Sequence, residues 1–214
     1  GIKQVESLRY DPRQQDTRFF EDNGVPFVNT YRADYPKPNP LRAKEAGELF
    51  EKHIRNLIIE DKYVRTFIDF LAYLVQHPGK KIRWCMLLLG TKGSGKTLIA
   101  DGLTAVLGLS NVAKLSGSDV IARNYNDWAY GQQLVVMEEV RVVGHNRHEV
   151  MDKLKPCISD DFISLNCKFE PLRTVPNITN YLIFTNHSDA LAIQDDERRY
   201  FVLRSRIQTP SDVA

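Results

Sequence analysis

An apolar run from Trp84 to Leu89 leads directly into Gly90-Thr91-Lys92-Gly93-Ser94-Gly95-Lys96-Thr97, and this junction constrains the fold more than any other stretch. The eight residues satisfy G-x-x-x-x-G-K-[ST] at every position. The glycines let the backbone wrap so that its N–H groups face phosphate oxygens, and a helix starting there adds its positive dipole end. Lys96 then sets a point charge against the β- and γ-phosphates, and the Thr97 hydroxyl completes a Mg²⁺ shell. The flanks agree with this. A continuous apolar run reads as a buried parallel strand, and Leu98, Ile99, Leu103, Val106 and Leu107 recur with helical spacing up to a stop at Gly108. The predicted class is α/β, and the predicted ligands are ATP and Mg²⁺.

Two further strands end in polar residues. Leu134–Met137 runs into Glu138-Glu139, and Tyr181–Thr185 runs into Asn186. Glu138 is the candidate to orient the metal through water, although Asp is the usual residue there. Glu139 is the candidate base for the attacking water. Such a water-activating acid argues against a small-molecule P-loop kinase, which transfers to a substrate hydroxyl. Asn186 suits a contact to the attacking water or the γ-phosphate, or an Asx turn closing its strand. Arg198 and Arg199 follow the acidic Asp195-Asp196-Glu197 and precede a short strand, Tyr200–Leu203. They suit an arginine finger reaching a neighbouring subunit, or a surface salt-bridge cluster.

The remaining chain divides around this core. Residues 1–40 are polar and proline-rich, including Tyr35-Pro36-Lys37-Pro38-Asn39-Pro40, and read as an arm without long regular elements. Residues 41–77 carry two amphipathic series closed by His77-Pro78-Gly79. The expected division is an arm and helical segment over 1–80, an ATPase core over 81–206, and an irregular tail over 207–214. Charge gives no bulk nucleic-acid signature, with 29 basic against 27 acidic residues, so any such contact needs a local patch. The three cysteines are odd in number and lack a C-x-x-C pair, so a disulfide framework is not expected; Cys85 reads as core. No apolar stretch approaches bilayer length and no leader pattern is visible, which predicts a cytoplasmic chain without membrane partners. Beginning at Gly1, it reads as a fragment. Trp128 reads as packing, and His145-Asn146-Arg147-His148 as a loop rather than a metal site.

Taken in order, the Gly90–Thr97 segment, Glu138-Glu139, the alternating Phe162–Phe169, Phe184-Thr185-Asn186-His187 and Arg198-Arg199 resemble the superfamily 3 helicases. The resemblance covers about residues 70–206. It is closest to the ATPase domains of phage and plasmid primase-helicases and replication initiators. It implies an AAA+-like parallel sheet flanked by helices, with Asn186 at the sensor 1 position and Arg198-Arg199 as the finger pair. The alternating segment would lead into a pre-sensor 1 β-hairpin. Viral members carry Lys then His at that tip; here the match is Lys168 then Phe169, so the lysine suits a DNA phosphate and the phenylalanine a stacked base or sugar. Arg173 would add charge beyond the tip, and Lys153 and Lys155 resemble basic positions of the preceding motif. The resemblance further implies a homohexameric ring with ATP between subunits, moving 3′ to 5′ on single-stranded or forked DNA. Residues 41–77 would belong to its collar, and a primase-polymerase domain would be a fused or separate partner. An ATP-switched initiator or loader that does not unwind would use the same residues.

Overall fold

The arm is built on an Asn-Gly turn. In the computed structural model, which describes residues 5, 7–37, 39–122, 125–139, 146–187 and 197–207, Asn23 and Gly24 take φ of 50° and 80°. This pair of left-handed residues closes a tight hairpin. Its strands are β2 (Phe19–Asp22) and β3 (Val25–Asn29), and β1 (Ser7–Arg9) runs parallel along the far side of β3. No strand here exceeds five residues, as the proline content predicts. The arm packs on its own core. Tyr10 and Tyr31 cluster with Ile178, Tyr10 Oη donates to Asn111 Oδ1 at 2.9 Å, and Asn111 Nδ2 donates to the Arg32 carbonyl at 2.7 Å.

Asn39 caps the next element by accepting from the Leu41 N–H at 3.1 Å, and Pro40 occupies the first helical position, where its missing N–H costs nothing. Helices α1 (Pro40–Leu57) and α2 (Asp61–Gln76) follow, matching the two amphipathic series. Then come β4 (Cys85–Leu89), α3 (Lys96–Leu107), β5 (Val112–Ser116), α4 (Gly117–Ala122), β6 (Leu134–Glu138) and α5 (Asn146–Ser159). The hairpin β7 (Phe162–Leu165) and β8 (Arg173–Pro176) leads to β9 (Asn180–Thr185) and β10 (Tyr200–Arg204).

The core sheet has five parallel strands in the order β10-β4-β9-β6-β5. Helices cover both faces, which explains the unbroken apolar runs. Met86, Leu88, Leu134, Val136, Leu182 and Phe184 face α1, α2 and α3. Cys85, Leu87, Val135, Met137, Tyr181 and Ile183 face α5 and the hairpin. Each fully buried aliphatic side chain contributes about 1.5–3 kcal/mol, so a polar residue within these strands would be costly. Trp128 packs edge-on against Tyr181, and Cys85 is fully buried, as read from sequence. Among the described residues no helix is long and apolar enough to cross a membrane.

Two parts differ from expectation. Strand β5 and helix α4 were not anticipated. Residues 146–148, expected in a loop, open helix α5, which continues through an internal Pro156; His145 lies outside the described residues. The helix forms despite the proline because its buried face (Val150, Met151, Leu154, Cys157 and Ile158) seals one side of the sheet.

Candidate functional site

Strands β4, β9 and β6 lie side by side, and each ends at the same edge in the residues the sequence singled out. In the parallel register Leu89 is opposite Thr185, and Met137 is opposite Ile183. The segment after β4, the acids after β6 and Asn186 after β9 are therefore delivered to one place. There they line a cavity of about 410 Å³ formed by Lys92, Gly93, Ser94, Gly95, Lys96, Thr97, Glu138, Glu139, Phe184 and Asn186.

Local geometry explains two of the glycines. A Cβ on Gly90 would lie 2.5 Å from the Ser205 Cβ, so the strand end and the chain after β10 can approach only without a side chain. Gly95 has φ of 92°, and a Cβ there would meet the His53 ring at 2.4 Å. Lys96 is buried and curls over its own loop. Its Nζ donates to the carbonyls of Gly90 at 2.5 Å and Thr91 at 2.7 Å, to Ser94 Oγ at 3.1 Å, and to Asn186 Oδ1 at 2.9 Å. Burial pushes the Lys96 ammonium down to about 8, against the opposing pull of Glu138 and Glu139.

The two acids sit differently. Glu138 Oε1 is buried without a hydrogen-bond partner among the described residues, which is a site for a ligand's donor, a hydrated cation or a water. Glu139 breaks from the strand with φ of 52°, an uncommon conformation for this residue type, and its exposed carboxylate is 3.8 Å from Lys92 Nζ. Thr97 lies on the cavity wall beside them. A hydroxyl and a lone carboxylate oxygen suit a cation such as Mg²⁺, which keeps several waters and takes its remaining ligands from substrate phosphates. The arrangement can bind a polyphosphate through backbone N–H groups and Lys96, and can present a carboxylate to a water beside it.

The arginines are not in this cavity. Strand β10 is parallel to β4 with Tyr200 opposite Cys85 and Arg204 opposite Leu89. Arg198 and Arg199 precede β10, so they sit at the other end of the sheet, roughly 20 Å from the Gly90–Thr97 loop of the same chain at strand rise. Arg199 is occupied there: it donates to Glu197 Oε1 at 2.9 Å and to Ser159 Oγ at 3.3 Å. Arg198 is exposed, and among the described residues nothing pairs with it. Asp195 and Asp196 fall outside the described residues.

The alternating segment forms the first arm of the hairpin, and its period holds: Ile163 and Leu165 are buried, with Phe162 and Ser164 exposed. The returning arm β8 pairs Arg173 with Leu165. At the tip Phe169 is 93% exposed with φ of 64°, and Lys168 Nζ lies 4.8 Å from its ring. Arg173 is drawn back, 3.4 Å from Glu170 and over the Tyr130 ring. Lys153 and Lys155 pair with Glu149 and Asp152 on their own helix.

Sequence reasoning missed two residues. Asn126 clips the base of the hairpin, donating to the Ser164 carbonyl at 2.8 Å and accepting from the Asn166 N–H at 2.7 Å. His53, on α1, contacts the Gly95 carbonyl in the Gly90–Thr97 loop. Neither has a local signal, because each acts on a segment distant in sequence.

A family described as of unknown function, DUF5906, matches residues 88–199, more than half of the chain. A DNA primase-polymerase of Nitratiruptor phage NrS-1 is 25% identical over 201 residues, spanning 91% of this chain and 27% of its own length. The chain thus corresponds to about a quarter of that relative. An apo structure of the NrS-1 C-terminal region superposes with a TM-score of 0.76 at 23% identity, covering 96% of this chain and 50% of that one. A second apo form of the region gives 0.67 at 21% identity, covering 92% and 46%. The fold is shared with both.

Proposed function

We propose that this chain, which belongs to the DUF5906 family, is a P-loop ATPase of AAA+-like architecture serving as the superfamily 3-like helicase module of a DNA-replication protein. The observation that carries this reading is the convergence of Lys96, Thr97, Glu138, Glu139 and Asn186 on one cavity at the ends of three adjacent parallel strands. The likeness to a phage DNA primase-polymerase supports the replication setting.

In this reading the backbone of Gly90–Thr97 cradles the β- and γ-phosphates, and Lys96 leaves its own carbonyls to neutralise them. Glu139 accepts a proton from a water that attacks the γ-phosphorus in line. The new bond is from water oxygen to phosphorus, the broken one is the β–γ bridge, and ADP and inorganic phosphate leave. Asn186 presents its Nδ2 to that water or to the γ-phosphate. Thr97 and Glu138 would hold Mg²⁺, which when bound supplies positive charge to the phosphate oxygens. The distance from Arg198 to its own phosphate loop favours a head-to-tail ring, a homohexamer by resemblance, in which Arg198 serves the neighbour's site. The hairpin tip would follow single-stranded DNA, with Lys168 on a phosphate and Phe169 against a base.

The test is ATPase rate per subunit across protein concentration, with and without single-stranded DNA, followed by strand displacement on a fork. A rate that climbs with concentration and again with DNA is expected. Turnover that requires a phosphoryl acceptor and ignores DNA would replace this reading with a small-molecule kinase. DNA-stimulated turnover without strand displacement would replace the motor with a loader.

A further inference from the structure

Helix α1 touches the phosphate loop at one polar point. Phe50, His53, Ile54 and Leu57 form a stripe at helical spacing: Ile54 and Leu57 are fully buried in the core shared with α3, and Phe50 approaches Gly102 of α3. Within that stripe the imidazole of His53 closes on Gly95, and its Nε2 is 3.1 Å from the Gly95 carbonyl oxygen. A carbonyl only accepts, so Nε2 carries the proton. The same oxygen also accepts from the Leu98 N–H at 3.2 Å, in the first turn of α3.

These contacts fix a peptide plane. The bond between Gly95 and Lys96 is a planar trans amide, so its C=O and N–H point in opposite directions. Holding the oxygen against α1 turns the Lys96 N–H away from that helix, and Lys96 itself lines the cavity. With φ of 92° and no Cβ, Gly95 is a glycine joint in the loop, as is Gly93 with φ of 77°, and His53 adds a second hold on its carbonyl beside the Leu98 N–H.

We propose that His53 is a positioning residue of the phosphate site: by holding the Gly95 carbonyl it presets the amide that receives a nucleotide phosphate, and it makes α1 part of the binding machinery. This rests on the reading of the cavity as a nucleotide site. His53 itself touches no ligand.

The experiment measures the Kd of a fluorescent ATP analogue with Mg²⁺, ATPase kcat and KM, and ligand-free Tm. It uses the unaltered chain, Lys96→Ala, His53→Leu and His53→Gln. Leucine keeps the packing and loses the donor; glutamine restores an N–H. The unaltered chain should bind and Lys96→Ala should not. His53→Leu should raise Kd and KM roughly tenfold, the size of one lost hydrogen bond, with kcat changed much less and ligand-free Tm held. His53→Gln should recover most of the loss. Undiminished binding in His53→Leu would overturn the proposal. So would equal loss in both variants accompanied by a fall in ligand-free Tm, which would make His53 packing alone. If the unaltered chain fails to bind, the nucleotide reading itself falls, a result these outcomes do not mimic.

Discussion

Lys96 Nζ donates to Asn186 Oδ1 across 2.9 Å, joining the Gly90–Thr97 loop to the end of β9. An ammonium cannot accept, so the amide oxygen must face it and Nδ2 is turned elsewhere. Asn186→Ala should therefore leave nucleotide affinity nearly intact while lowering turnover roughly 10²-fold, the scale of one lost transition-state donor. Steady-state kinetics check this; a change confined to KM would make Asn186 a binding residue only.

The depressed Lys96 gives a pH signature. With its ammonium at about 8 in the ligand-free chain, Lys96 loses its proton as pH rises through that value, and phosphate affinity goes with it. Kd for Mg-ATP should rise about tenfold by one unit above 8, as the competent fraction falls. Lys96→Arg should flatten the rise. Ligand-free stability moves the other way. Between about 8 and the ordinary 10.5 the unfolded chain binds more protons, so this lysine's contribution to stability increases with pH across that window. Titration of Kd and Tm on the same buffers separates the two.

Glu139→Gln keeps the shape of the side chain and removes the proposed base. Turnover should drop roughly 10²- to 10⁴-fold with ATP still bound. The companion Glu138→Gln should instead raise the Mg²⁺ concentration needed for half-maximal activity. Near-normal turnover in Glu139→Gln would assign the proton elsewhere.

Arg198 and Lys96 should complement each other across subunits. Arg198→Ala and Lys96→Ala are each expected to be inactive alone. Mixed in equal amounts and reassembled, they should regain about a quarter of full activity, since random assortment pairs intact halves at that frequency. Arg199→Ala should instead lower Tm, because it frees Glu197 and Ser159. No recovery on mixing would count against a shared site.

At the hairpin, Lys168→Ala should reduce the salt dependence of single-stranded DNA affinity by about one phosphate contact. Phe169→Ala should cost about 1–3 kcal/mol of affinity at any salt, the range for one stacked base. Fluorescence anisotropy with a labelled oligonucleotide measures both. Arg173→Ala should do less, since Arg173 is held by Glu170 and Tyr130.

What was legible in the sequence follows from where the signals are local. Strands β4, β6 and β9 are covered on both faces, so nearly every residue had to be apolar, and each appears as a run. The candidate residues hang on the ends of those runs, so finding the strands found the cavity. Strand β5 was missed because it is an edge strand whose buried positions, Val112 and Leu115, are interrupted by an exposed Lys114 paired with Asp101. Helix α5 was obscured by Pro156 and by a polar first turn. The roles of Asn126 and His53 depend on how distant segments dock, which no local pattern records.

The Gly90–Thr97 loop and Arg198 sit at opposite ends of the adjacent parallel strands β4 and β10. With Arg198 serving a neighbour's site, as proposed, the chain carries a socket at one end and a plug at the other and is a polar building block. An open stack of such blocks always strands one socket and one plug at its ends, so a dimer has half its sites complete. Only closure completes every site, and specific activity would then report ring closure itself, rising in steps with assembly size and reaching its ceiling when the last gap shuts.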